Sequence, residues 1–192
     1  MKSIFRLEVR GRKNIPGQGG LILAANHRSY LDPAVLAVAF PRPVFFLAKE
    51  GLFIRNALFG RFITALNALP IKSKSGDLKT LRRIISELKA GKVVLVFPEG
   101  RRLAGGENVH PMKGVGLLAV KANVPIVPAL IEGSAQALPI NSSLIRPHKI
   151  RVYFGQPIFP QSVRDSVSEQ DKDEIYQILA EKTMRVVTQL KQ

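Results

Sequence analysis

An imidazole and a carboxylate lie five positions apart in the run Asn26-His27-Arg28-Ser29-Tyr30-Leu31-Asp32-Pro33, directly after the apolar stretch Leu21–Ala25. A histidine backed by a fixed carboxylate is held in one tautomer and can take a proton from a hydroxyl as a general base. On a regular helix, residues five apart point roughly 140° away from each other, so the pair cannot meet there. It meets if His27 ends a strand and the chain loops into a helix beginning near Asp32. Pro33 suits the first helical position, Asp32 the N-cap, and Ala34–Phe40 supplies an apolar helical run. The helix N-terminus also favours an ionised Asp32. By themselves the two residues leave a second reading open, because Asp-Pro opens many helices purely by capping.

The elements that must position this pair follow from hydrophobic patterning. Leu21–Ala25, Val44–Leu47, Val93–Phe97 and Ile126–Ile131 read as short strands that are nearly all apolar, and Ile150–Phe154 as a later one. Strands apolar on both faces belong in a sheet covered on both sides. Asp77–Ala90 places Leu78, Leu81, Ile84, Ile85 and Leu88 at helical spacing, with Gly91 as a stop signal. Val115–Ala122 reads as a short helix, and Ser168 with Asp171 as a capping box opening a C-terminal helix over about 168–190. The alternation predicts an α/β fold: a single-domain sandwich over 1–192 with a mixed, largely parallel sheet covered by helices. Functional residues then belong in loops after the strands' carboxyl ends.

Composition narrows the chemistry. The chain has 192 residues and no cysteine, so thiolate nucleophiles and Cys-ligated metal sites are excluded. Three histidines at no metal-ligand spacing predict no metal site. Lys+Arg 29 against Asp+Glu 14 gives +15, which attracts nucleic acid, an anionic membrane or phosphate-bearing and acidic partners. Basic residues are dispersed, tryptophan is absent and no nucleic-acid motif is present, so no nucleic-acid partner is expected. No Walker A run or G-x-S-x-G elbow exists. Gly114-x-Gly116-x-x-Ala119 matches a relaxed dinucleotide fingerprint but follows a polar loop instead of a strand, which argues against it. Gly51–Ile71 is the longest apolar candidate for a membrane segment. Arg55 and Arg61 rule out a spanning helix, at about 2.5–3.5 kcal/mol each near the bilayer centre. An interfacial helix and a helix packed on the core both remain compatible with its pattern. The N-terminal run is not a signal peptide, since it has no continuous apolar core.

Asn26-His27-x4-Asp32 resembles the first motif of the lysophosphatidic acid acyltransferase family of glycerolipid acyltransferases. Phe97-Pro98-Glu99-Gly100 resembles its third motif, and Val124-Pro125-Ile126-Val127-Pro128 its fourth. Pro111-Met112-Lys113-Gly114 resembles the lysine–glycine turn between them, and Phe59-Gly60 through Leu69-Pro70-Ile71-Lys72 the second-motif region. The resemblance spans about 14–155, in order. It departs from the pattern at Arg101, where the family usually has Thr, and at Lys72, where it commonly has Arg. Lys72 can bind phosphate as a point charge but lacks the bidentate fork. Many relatives begin with hydrophobic membrane helices, so this chain resembles a shortened form restricted to the catalytic domain.

The resemblance implies acyl transfer from a thioester, acyl-CoA or acyl-carrier protein, to the free hydroxyl of 1-acyl-glycerol-3-phosphate, with phosphatidic acid as product. His27 would be the general base and Asp32 its partner, without an acyl-enzyme and without a cofactor. Glu99 and Gly100 would position the acceptor. Arg101, Arg102, Lys72 and Arg28 are candidate phosphate contacts. Another lysophospholipid or a lyso-aminolipid is the alternative acceptor. A basic peripheral lipid- or nucleic-acid-binding protein is the non-enzymatic alternative. The expected location is cytoplasmic, peripheral to the anionic inner face of a membrane.

Overall fold

The computed structural model describes residues 5–54, 57–65, 67–71, 78–103, 110–142, 144–164 and 172–191. Its strands are β1 (Glu8–Arg10), β2 (Leu21–Ala25), β3 (Val44–Lys49), β4 (Ala68–Ile71), β5 (Val93–Val96), β6 (Ile126–Glu132) and β7 (Arg151–Phe154). Its helices are α1 (Asp32–Ala39), α2 (Gly51–Ile54), α3 (Ala57–Ala65), α4 (Leu78–Lys89), α5 (Gly114–Ala122), α6 (Ser134–Ala137), α7 (Gln161–Arg164) and α8 (Lys172–Gln189). The strands form one sheet in the order β1-β7-β6-β2-β5-β3-β4. β6, β2, β5, β3 and β4 run parallel, and β7 is antiparallel to β6 with β1 parallel to β7. This is the mixed, largely parallel sheet expected from the all-apolar strands.

β2 sits at the centre, and all five of its residues are fully buried. Leu21, Leu23 and Ala25 pack to one face with Val35, Leu36 and Ala39 of α1. Ile22 and Ala24 pack to the other with Ile84 and Leu88 of α4, Val115 and Ala119 of α5, and Leu179 of α8. Alternate side chains of one strand thus feed two cores, which is why both had to be apolar. Helix α4 ends as the sequence signals. Gly91 takes φ 85°, its N–H donates to Leu88 and the Lys92 N–H to Glu87, a Schellman closure.

Several expectations need correction. The strand at 93–97 stops at Val96, releasing Phe97 into the following turn. Edge strands β1 and β4 carry too little pattern to be read from sequence alone. Gly51–Ile71 is not one helix: α2 and α3 are followed by strand β4, after Asn67 adopts a left-handed φ of 61°. Among the described side chains of this segment, Ile63 is buried and Phe53 packs on the core, whereas Ile54 and Ala65 are exposed. Gly116 serves helix packing, because a Cβ there would collide with the Tyr176 carbonyl of α8. The proposed capping box at Ser168 and Asp171 lies outside the described residues, although α8 itself is present. No helix among the described residues is long and apolar enough to cross a membrane.

Candidate active site

β2 has β5 and β6 as neighbours, so the loop after β2 lies between the loops after both. Asn26 ties it to β6: its amide donates to the Ile131 carbonyl at 3.0 Å and its oxygen accepts the Ile131 N–H at 2.7 Å. Ser29 Oγ donates to the Leu138 carbonyl at 2.8 Å. From the β5 side, Glu99 Oε2 accepts the His27 N–H at 2.7 Å, and the Leu103 N–H donates to the His27 carbonyl at 3.0 Å. The backbone on both sides of His27 is therefore clamped.

His27 Nδ1 lies 2.8 Å from Asp32 Oδ2, so the five-residue hop closes as the turn argument requires. The same oxygen accepts the Arg28 N–H at 2.7 Å and the Ser29 N–H at 2.8 Å. Asp32 is fully buried, while the His27 side chain retains 17% exposure. One correction applies here. Asp32 is the first helical residue and Leu31 takes the cap position without a side-chain bond. The carboxylate turns back onto the loop, where two amides and the imidazole converge, instead of capping the helix. With Nδ1–H donated to Asp32, the remaining ring nitrogen, Nε2, is the basic one. The ring stacks on Phe97 with centroids 3.9 Å apart and planes 11° from parallel. The stack fixes the ring plane, and Asp32 fixes its rotation.

Glu99 is nearly buried, and its observed partners are the His27 N–H and, at 3.8 Å, Arg28 Nη2. Burial raises its carboxyl above the ordinary range, opposed by the His27 N–H and the charges of Arg28 and His27, and aided by Asp32. Gly100 follows at φ 70°, a left-handed conformation that suits glycine, and Met112 occupies the space a Cβ would need. Arg101 is exposed at the same turn. Arg28 Nη1 also donates to the Leu103 carbonyl at 3.3 Å. Lys72 lies outside the described residues. Arg102 lies over Tyr30, its guanidinium carbon 3.4 Å from the ring centroid, with Nη1 buried and without a hydrogen-bond partner among the described residues. Phe97 and Tyr30 join the site only in the folded protein. The only available signal was that each aromatic sits inside a motif. Among the described residues, no three His, Asp or Glu side chains gather as a metal set.

An open groove of about 580 Å³ lies elsewhere, lined by Phe53, Gly60, Arg61, Thr64 and Ala65 of α2 and α3. None of the residues around His27 lines it.

The clamped His–Asp pair thus lies at the carboxyl end of a parallel sheet, beside a Glu-Gly-Arg-Arg turn. The profile of the Acyltransferase family matches residues 6–132, and the chain belongs to that family. Its likeness within the family is to proteins named for 1-acyl-sn-glycerol-3-phosphate. The Bacillus subtilis 1-acyl-sn-glycerol-3-phosphate acyltransferase is 27% identical over 153 residues, 79% of this chain and 73% of that protein. The Streptococcus pneumoniae protein of the same name is 32% identical over 148 residues, 75% of this chain and 52% of its own length. Against the chloroplastic Brassica napus relative, the chain spans 46% of that protein at 28% identity. The crystal structure of the 1-acyl-sn-glycerophosphate (LPA) acyltransferase PlsC from Thermotoga maritima aligns with a TM-score of 0.75 at 29% identity, over 96% of this chain and 72% of that one.

Proposed function

We propose that the chain moves a fatty acyl group from an acyl thioester to the free hydroxyl of 1-acyl-glycerol-3-phosphate, with His27 as general base. The observation that carries this reading is the 2.8 Å contact between His27 Nδ1 and Asp32 Oδ2, which leaves Nε2 as the proton acceptor on a partly exposed ring. Nε2 takes the hydroxyl proton as the oxygen attacks the thioester carbon. Asp32 stabilises the imidazolium that forms. The tetrahedral oxyanion then collapses, the C–S bond breaks, and the thiolate leaves with the proton returned from His27. No enzyme nucleophile, metal or cofactor enters this scheme. General-base assistance of this kind supplies about 10²–10⁴-fold.

The acceptor's phosphate meets Arg102, stacked over Tyr30, together with Arg101 of the same turn and Arg28 of the His27 loop. Lys72 joins this set on the strength of the motif resemblance. Glu99 and Gly100 shape the turn against the His27 loop. The protein works peripherally at the cytoplasmic face of a membrane, with either acyl-CoA or acyl-carrier protein as donor.

The deciding experiment offers a mixed pool of lysophosphatidate, other lysophospholipids and lyso-aminolipids with each donor, and identifies the lipid products by mass spectrometry. Phosphatidate formed by the wild type and lost in His27→Ala is the expected result. Equal turnover by the two proteins would remove His27 from the chemistry, and acylation of an unphosphorylated acceptor alone would remove the phosphate assignment. Arg102→Ala should raise KM for lysophosphatidate with little change in kcat.

A further inference from the structure

Between α6 and β7 the chain reads LPINSSLIRPH over 138–148. The Arg146 N–H donates to the Ala137 carbonyl at 2.8 Å, which pins the two ends of this excursion together. Its base rests on the catalytic loop through the Ser29–Leu138 hydrogen bond. Away from that base, Leu144 is 67% exposed and Ile145 50% exposed, with Arg146, Pro147 and His148 exposed after them. Residues 138–151 include Arg146, Lys149 and Arg151 and no acidic residue, and Glu8 of β1 pairs with both Lys149 and Arg151.

A scattered exposed leucine needs no explanation. Position makes this pair different. Tyr30, Ile54, Leu78 and Met112, the other large apolar side chains exposed near this end, follow β2, β3, β4 and β5 in turn. With Leu144 and Ile145, which follow β6, six of the seven exposed large hydrophobics among the described residues come in the segments after the parallel strands; Phe159 is the exception. Chance would spread them over the surface.

We propose that the Leu144–Ile145 tip is a docking element that enters the headgroup region of an anionic bilayer and seats the His27 loop against it. An apolar pair followed by the exposed Arg146, on a chain of net charge +15, matches a surface with hydrocarbon beneath and phosphate above; Lys149 and Arg151 share the single carboxylate of Glu8 and leave this region net basic. An acidic protein would answer the charge but leave the Leu–Ile pair without a function. The proposal takes its purpose from the lipid acceptor in the proposed function, yet binding is measured separately from turnover.

The test uses sedimentation with vesicles of phosphatidylcholine alone or mixed with phosphatidylglycerol. The wild type should sediment with the anionic vesicles. The double variant Leu144→Asp/Ile145→Asp should bind them at least about tenfold more weakly, since two apolar side chains no longer leave water. Turnover on a short-chain lysophosphatidate kept monomeric should stay within about twofold of wild type. Unchanged thermal melting checks the fold, and Leu144→Ser/Ile145→Ser provides a milder second variant. Because the chain has no tryptophan, Leu144→Trp is a single reporter whose emission should shift to the blue on anionic vesicles. Wild-type vesicle binding by both double variants would overturn the proposal, as would an unshifted Trp spectrum. Retained vesicle binding with lost turnover on an acyl-carrier thioester would overturn it in favour of a protein dock. If the wild type shows no turnover on the monomeric acceptor, the enzymatic reading fails, and sedimentation still decides the docking claim.

Discussion

Asp32→Asn separates charge from geometry at the site. One carboxylate oxygen accepts His27 Nδ1 and the Arg28 and Ser29 N–H groups, while Asp32 Oδ1 has no partner among the described residues. An asparagine must therefore turn its oxygen toward those three donors, because the flipped amide would face two backbone N–H groups with an NH₂. The imidazole then keeps its tautomer and its bond but loses the negative charge that stabilises imidazolium. A charge pair about 4 Å apart at an effective dielectric constant of about 20 is worth about 4 kcal/mol, which is an upper bound for a partly exposed ring. The expected fall in kcat is about 10²–10³-fold, with KM for both substrates nearly unchanged. Stability should change little in Asp32→Asn. Asp32→Ala leaves two amides without their acceptor, at about 1–3 kcal/mol each. The assay is thiol release from an acyl thioester, paired with urea melts of the three proteins. An asparagine variant within about threefold of wild-type kcat would refute the ion-pair argument. Equal stability loss in Asn and Ala would refute the orientation argument.

Glu99→Gln should relieve a pH-dependent burden. Burial lifts the folded pKa above the ordinary 4.5, so the folded state holds this proton to higher pH than the unfolded chain. As pH rises from 4.5 through the raised value, the wild type loses stability relative to Glu99→Gln, and above it the difference levels off. Urea melts of both proteins across that range check it; a difference that stays flat contradicts the buried-carboxylate account. Gly116→Ala should lower the melting temperature through a loss of about 1–3 kcal/mol, since the new methyl pushes α5 off the α8 backbone. A variant that melts like the wild type would show that the two helices can separate freely. Tyr30→Leu should raise KM for a phosphorylated acceptor without an equal loss of kcat, whereas Tyr30→Phe keeps the Arg102 stack and should behave as wild type. Steady-state kinetics on the three proteins distinguish these outcomes.

Local physics made much of this protein legible in one dimension. Runs such as Leu21–Ala25 and Val93–Val96 have no polar face, so only a strand covered on both sides can hold them. Gly91 stops α4 because a left-handed residue needs no Cβ there. His27 and Asp32 could be paired because their separation is small and a turn is the sole way to close it. Short range also set the limits of that reading. Sequence marks Asp32 as a cap for its own helix, since it shows an N-cap residue type but not which amides the carboxylate will find. Three donors gathered by the folded loop outcompete the cap.

The rest depended on strand order, which no local pattern encodes. β2 lies between β5 and β6 although these are far along the chain, and that juxtaposition brings Glu99 to the His27 amide, Phe97 to its ring and Leu138 to Ser29. The Arg102–Tyr30 stack spans two loops for the same reason. Residue type and spacing determined which groups are capable of the chemistry. Packing of a twice-covered sheet decided which of them touch, because contacts between distant segments arise from burying both faces of β2 at once and not from the conformational preferences of either segment alone.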